Sequence, residues 1–174
     1  CGYSLRNGDY NTCMGYQAGY HIDNGNQNSF FGYHAGYNCN SGTQNTCLGY
    51  QAGHRTTGNY NVNIGPHAGH QTYSDEQCVN IGYHAGYGYS SSASNYNVNI
   101  GSHAGRHQNN CTDCVMIGRY AGHYNRGGNY NIMMGHYAGY QTQEGDYNIY
   151  MGHQAGYHAD RNTSSYACNH NIMM

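Results

Sequence analysis

Four histidines, His34, His67, His84 and His103, occupy one position of a recurring motif, two residues after a glycine and directly before Ala-Gly. Imidazoles that recur in neighbouring coils of a stacked fold can share a divalent metal, which makes His67, His84 and His103 the candidate ligands. The same position also holds Gln17, Gln51, Tyr120 and Gln154, as a solvated turn would. A second set, His54, His70 and His123, exchanges with Tyr20, Tyr37, Tyr87, Tyr140 and Tyr157. That exchange fits a demand for a flat amphipathic ring better than a demand for a ligand.

Tyrosine is the other chemistry-bearing type, with 22 in the chain. Tyr10, Tyr60, Tyr96, Tyr130 and Tyr147 precede an asparagine column, and Tyr16, Tyr33, Tyr50 and Tyr83 follow the motif glycine. Rings stacked along an axis add about 0.5–1.5 kcal/mol per pair, and the same surface suits a glycan, ice or another subunit. The chain has 8 cysteines. Cys13 and Cys47, like Cys78 and Cys114, lie two coils apart, too far for a direct disulfide. Cys111 and Cys114 form a lone CxxC, open to a local disulfide, a metal fragment or an ordinary structural role. Asp75-Glu76 is the only adjacent carboxylate pair, and no Cys/His pair stands apart from the repeat columns, so the expectation is a protein that is not an enzyme.

These residues must be positioned by the repeat itself. Aligned on the glycine after an apolar residue, copies centre on Gly15, Gly32, Gly49, Gly65, Gly82, Gly101, Gly118, Gly135 and Gly152, each followed three residues on by Ala-Gly. Self-similarity at such a period marks a stacked-repeat fold. Apolar residues two apart give the alternation of a short strand with one buried face. The expected architecture is therefore all-β: a parallel β-solenoid, or β-roll, of about ten coils with a roughly 17-residue repeat, forming one domain over 1–174 with incomplete coils at both ends. The expected core is Val62, Val79, Val98 and Val115 with Ile64, Ile81, Ile100 and Ile117. An asparagine column, Asn11, Asn28, Asn45, Asn61, Asn97, Asn131, Asn148 and Asn171, is expected to form a structural ladder along the stack. Extra residues around Gly88–Ser94 and between Tyr157 and Asn169 are expected to bulge from one edge, the latter as a cap or contact arm.

Composition narrows the function. Charged residues are 8% of the chain, the net charge is −2, and the arginines are scattered, so the basic stripe of a nucleic-acid binder is missing. No apolar run reaches the length of a membrane span. Many cysteines with no lysine suit an extracellular setting. Both ends of the sequence read as ordinary repeat broken near the same turn, so Cys1, Gly2, Tyr3, Cys168, Met173 and Met174 are expected subunit contacts.

The run Asn97-Val98-Asn99-Ile100-Gly101-Ser102-His103-Ala104 resembles the repeat of the head domains of trimeric autotransporter adhesins and related phage or bacterial fibre proteins. The resemblance implies a left-handed parallel β-roll used as a surface fibre. The longer coils, the many Tyr and His, and the cysteines depart from that pattern. The expected function is thus a non-enzymatic extracellular structural protein on a cell or virion surface, a subunit or segment of a fibre or filament. It would self-associate head-to-tail or laterally, without cofactor. An ice-binding solenoid with a Tyr-rich flat face and a metal-binding repeat protein using the His column are the alternatives, with a glycan or ice surface as the other partner class.

Overall fold

The computed structural model describes residues 2–88, 94–142, 145–159 and 172–174. Twelve short strands follow in chain order: β1 (Ser4–Leu5), β2 (Thr12–Met14), β3 (His21–Ile22), β4 (Ser29–Phe31), β5 (Thr46–Leu48), β6 (Val62–Ile64), β7 (Val79–Ile81), β8 (Val98–Ile100), β9 (Val115–Ile117), β10 (Ile132–Met134), β11 (Ile149–Met151) and β12 (Ile172–Met173). No helix occurs among the described residues. Ten strands form one parallel sheet in which each pairs with the equivalent strand of the next coil; β1 and β3 pair separately. The chain is a parallel β-solenoid. From β2 to β11 it makes eight complete turns, fewer than the ten coils expected, because the passage from β11 to β12 falls outside the described residues.

Register follows the motif and not the residue count. Thr46 pairs with Val62 across a 16-residue coil, and Val79 pairs with Val98 across a 19-residue coil. The extra residues of the longer coil, 89–93, lie outside the described residues, as does the long segment 160–171.

From β2 to β11 each strand of the ten-stranded sheet is only three residues long because of what flanks it. Downstream, the motif glycine takes a φ of 117° to 135°. A Cβ on Gly32 would sit 2.5 Å from the carbonyl oxygen of Gly49, so only glycine allows the coils to approach here. Three residues later the alanine amide donates back to that glycine's carbonyl, as Ala35 N does to Gly32 O at 3.3 Å, closing a turn.

The interior reverses the expected facing of the strands. The burial pattern of β6 to β9 is half-buried, buried, half-buried. The middle residue therefore points inward, and the expected core residues Val62, Val79, Val98, Val115, Ile64, Ile81, Ile100 and Ile117 line the outer face. The cause is the width of the tube. Opposite each strand runs the alanine column, Ala35, Ala52, Ala68, Ala85, Ala104, Ala121 and Ala138, each completely buried. The next column is glycine at φ near 58°, where a Cβ would strike the inward side chain: on Gly69 it would lie 1.9 Å from Asn63 Oδ1. That leaves room for one side chain per strand. It is filled by Phe30, Cys47, Asn63, Asn80, Asn99, Met116, Met133 and Tyr150, each at most 2% exposed.

Two apolar clusters result, one around Ile22, Phe30, Cys39 and Cys47, the other around Cys111, Cys114, Met116, Met133 and Tyr150. Between them the core is polar. Asn80 Nδ2 donates to Asn63 Oδ1 at 2.9 Å, Asn99 Nδ2 donates to Asn80 Oδ1 at 2.8 Å, and Gln108 Nε2 closes on Asn99 Oδ1 at 2.8 Å. A buried amide is tolerated because the next coil offers the same amide one rung away.

Candidate assembly face and ring ladders

The asparagine column forms a ladder, but its amides grip backbone more than one another. Asn28 Oδ1 accepts the Asn45 amide at 2.8 Å, and Asn28 Nδ2 donates to Gly42 O at 2.7 Å. Asn11, Asn45, Asn61, Asn97 and Asn131 repeat both bonds in their own coils. Asn148 supplies its amide to Asn131, and Asn171 lies outside the described residues. Each asparagine therefore fixes the turn of the following coil relative to its own strand.

Two columns of non-glycine residues sit in left-handed backbone. One is the histidine position, where Gln17, His34, Gln51, His67, His84, His103, Tyr120, Tyr137 and Gln154 have φ of 52° to 60°. The other precedes the asparagine column, where Tyr60, Gln77, Tyr96, Asp113, Tyr130 and Tyr147 have φ of 54° to 61°. This conformation costs roughly 1–2 kcal/mol per residue. Ring stacking offsets part of that cost wherever aromatic neighbours coincide: His84 on His103 at 5.4 Å, His103 on Tyr120 at 4.8 Å, Tyr120 on Tyr137 at 5.0 Å, Tyr130 on Tyr147 at 4.8 Å. Apart from Asp113, the residues at these positions are not the usual Gly, Asn or Asp, so the columns as a whole carry no sequence mark of left-handed backbone.

The column after Ala-Gly is the most regular ladder. Tyr3, Tyr20, Tyr37, His54, His70 and Tyr87 stack in sequence at centroid separations of 4.9, 5.0, 5.1, 4.8 and 5.0 Å. Tyrosine and histidine interchange along one stack, as the sequence suggests. Burial pushes His54 down to about 4 and His70 down to about 3, with neighbouring imidazoles and Arg55 adding to the shift. His84 and His107 fall to about 4, and His123 to about 3, again chiefly through burial. Ring nitrogens of His54, His67, His70, His84 and His123 are buried without a hydrogen-bond partner, an environment that favours the neutral ring.

The rings of His67, His84 and His103 lie one above another, at 4.8 and 5.4 Å. Stacked in this way they do not converge on a common point. Among the described residues no group of three or more His, Cys, Asp or Glu is arranged to hold a metal ion. The carboxylates singled out in the sequence are absorbed by the stack. Asp75 accepts the Ser94 amide at 2.8 Å, and Glu76 accepts from Asn59 Nδ2 at 3.0 Å. Burial raises the Asp75 carboxyl to about 7.

Of the expected subunit contacts, Tyr3 and Met174 are highly exposed, Met173 is partly exposed and Gly2 is half-buried. Cys1 and Cys168 lie outside the described residues.

The unexpected feature is the outer face of the sheet. Its two columns run Thr12, Ser29, Thr46, Val62, Val79, Val98, Val115, Ile132, Ile149 and Met14, Phe31, Leu48, Ile64, Ile81, Ile100, Ile117, Met134, Met151, without one charged residue. Met14 is 67% exposed, Leu48 48% and Met151 43%. Exposed tyrosines border the face on both sides: Tyr60, Tyr96, Tyr130 and Tyr147 along one margin, Tyr16, Tyr33, Tyr50 and Tyr83 along the other. With rungs about 4.8 Å apart and residues about 3.3 Å apart along a strand, the three-residue strands present a face of about 38 by 10 Å, or about 380 Å². An uncharged strip of that size, rimmed by tyrosines and by polar residues such as Gln77, Asp113 and Arg119, marks an interaction site. The same alternation that locates the strands holds this signal, but reading its apolar member as the core conceals it.

No protein-family model matches the chain, and no curated protein or solved structure matches it. Among the described residues no helix is long and apolar enough to cross a membrane.

Proposed function

We propose that the chain is a non-enzymatic extracellular structural protein, a rigid solenoid segment of a fibre or filament whose copies associate laterally through the outward Val/Ile face. The observation that carries this reading is the uncharged sheet face bordered by tyrosines. At about 380 Å² of strand surface per copy, extended by the bordering tyrosines, it forms the centre of an interface to which each partner usually contributes roughly 800 Å². Supporting it, His67, His84, His103, Asp75 and Glu76, the side chains singled out for chemistry, make contacts from one coil to the next. The resemblance of Asn97 to Ala104 to fibre-protein repeats points the same way.

Electron microscopy of the purified protein tests the reading. Elongated particles wider than a single solenoid, joining into filaments at higher concentration, are expected. Separate single-solenoid particles at every concentration overturn it. A flat, regular, uncharged face also suits ordered water, and thermal hysteresis from such dispersed particles transfers the assignment to ice binding.

A further inference from the structure

We propose that Cys111 and Cys114 form an intramolecular disulfide, a covalent staple across one turn of the solenoid, independent of the fibre reading. The two thiols touch, with Sγ to Sγ at 2.7 Å, and both residues are completely buried. Their backbones are held in place by one side chain. Asn97 Oδ1 accepts the Cys114 amide at 2.8 Å while Asn97 Nδ2 donates to the Cys111 carbonyl at 2.7 Å, so the four-residue segment is clamped at both ends.

Comparison with the other coils shows why cysteine stands at both positions. Asp75 stands with Cys78 and Ser94 with Asn97, but in the remaining coils the equivalent pair is glycine and asparagine, as in Gly42 and Asn45 or Gly128 and Asn131. There the asparagine amide fills the space beside the glycine: a Cβ on Gly42 would lie 2.7 Å from Asn45 Nδ2, and one on Gly128 would lie 2.8 Å from Asn131 Nδ2. Replacing the asparagine by Cys114 opens that space, and the Cys111 side chain occupies it. The exchange also gives up the amide donor that Asn45 directs at Gly58 O and Asn131 at Gly145 O. At the corresponding carbonyl, Gly128 O, Asn125 Nδ2 supplies a donor at 3.4 Å and also approaches Cys111 Sγ at 3.1 Å. Loss of both thiol hydrogens therefore leaves Gly128 O with a partner and both sulfurs facing an N–H donor. The covalent bond closes the turn within one coil, while the tie to the next coil's glycine carbonyl passes to Asn125.

The reaction is an exchange with a low-molecular-weight disulfide. Each cysteine gives up one hydrogen, the S–S bond forms between Cys111 and Cys114, and the external disulfide is reduced to two thiols. Burial raises the Cys111 thiol well above its ordinary range and closes it off, so exchange takes place before the coil is packed and the finished staple resists reductant in the native state.

Tryptic peptide mapping tests this directly, because cleavage after Arg106 and Arg119 releases a peptide, 107–119, that contains these two cysteines and no others. The protein is folded with a glutathione redox pair, denatured without reductant, alkylated and digested. The expected peptide is unalkylated and lighter by two hydrogens than its reduced form, and it alkylates twice only after reduction in denaturant. In Cys111→Ser the remaining Cys114 alkylates without reduction; in Cys78→Ser the peptide stays closed. Two alkyl groups on the peptide from the unreduced wild type, or its recovery cross-linked to another cysteine peptide, overturns the proposal.

Discussion

Replacing Asn80 by alanine removes the middle of the polar core and leaves both neighbours wanting. Asn80 donates to Asn63 Oδ1 at 2.9 Å and accepts from Asn99 Nδ2 at 2.8 Å, with all three residues at most 2% exposed. Asn63 Oδ1 loses its donor, while Asn99 Nδ2 keeps only a long contact to Gln108 Oε1 at 3.5 Å. An orphaned buried donor or acceptor costs about 1–3 kcal/mol, so two of them cost about 2–6 kcal/mol. Part of the Asn99 penalty is recovered if Gln108 tightens, which places the expected value near the middle of that range. Urea unfolding followed by circular dichroism measures it, with Asn24→Ala as the control, because its side chain shares only an exposed bond with Asn7. The control should stay within about 0.5 kcal/mol of wild type. Asn63→Ala/Asn80→Ala should cost less than the two single changes added, since each removes the other's orphan. If Asn80→Ala unfolds within about 1 kcal/mol of wild type, the amides are not a buried ladder and the inward facing of the middle residue is wrong.

Acid should destabilise the fold. His54, His70, His84, His107 and His123 have folded values of about 3–4 against an ordinary 6.5, so the unfolded chain takes up protons first. Their contribution is complete above about pH 6.5 and is lost progressively as the pH falls toward 4. Asp75, raised to about 7, acts the opposite way, losing stability as the pH rises from about 4, but it is one group against five imidazoles. The melting temperature should therefore drop steadily from pH 7.5 to 4.5; a flat or rising trend on acidification contradicts the buried imidazole ladder. For packing, Met133→Ala should cost about 2–5 kcal/mol in the urea assay because the side chain is completely buried. Ile100→Ala, on the half-buried outer face, should cost about 1 kcal/mol in the dissociated chain, and the reverse order is inconsistent with the fold.

The period, the strand positions and the register are legible in the sequence because one glycine column fixes them. Gly32 cannot accept a Cβ against Gly49, so its spacing survives insertions elsewhere in the coil. The asparagine ladder is legible for a similar reason, since a polar residue beside a strand needs a partner in every coil. The facing of the strands is not. Alternation shows that two faces differ, but it does not say which one is inside when the tube is lined by alanine and glycine and has room for a single side chain. Asn63, Asn80 and Asn99 are inside because their own repeats satisfy them, and Val98 and Ile100 are outside, where a second surface can cover them. The left-handed backbone at His67 or Tyr130 leaves no sequence mark, because Gln, His and Tyr share these columns at the same φ and none of them is a residue that favours it strongly.

Sedimentation equilibrium on wild type and on the triple variant Val79→Lys/Val98→Lys/Val115→Lys tests the assembly face most directly. The three residues stand side by side in adjacent strands on the outer face. Wild type should show a mass that is a multiple of 19.2 kDa, and the variant should fall to 19.2 kDa while keeping the wild-type circular dichroism spectrum. A wild type that remains at 19.2 kDa across the micromolar range, or a folded variant that still associates, contradicts the account.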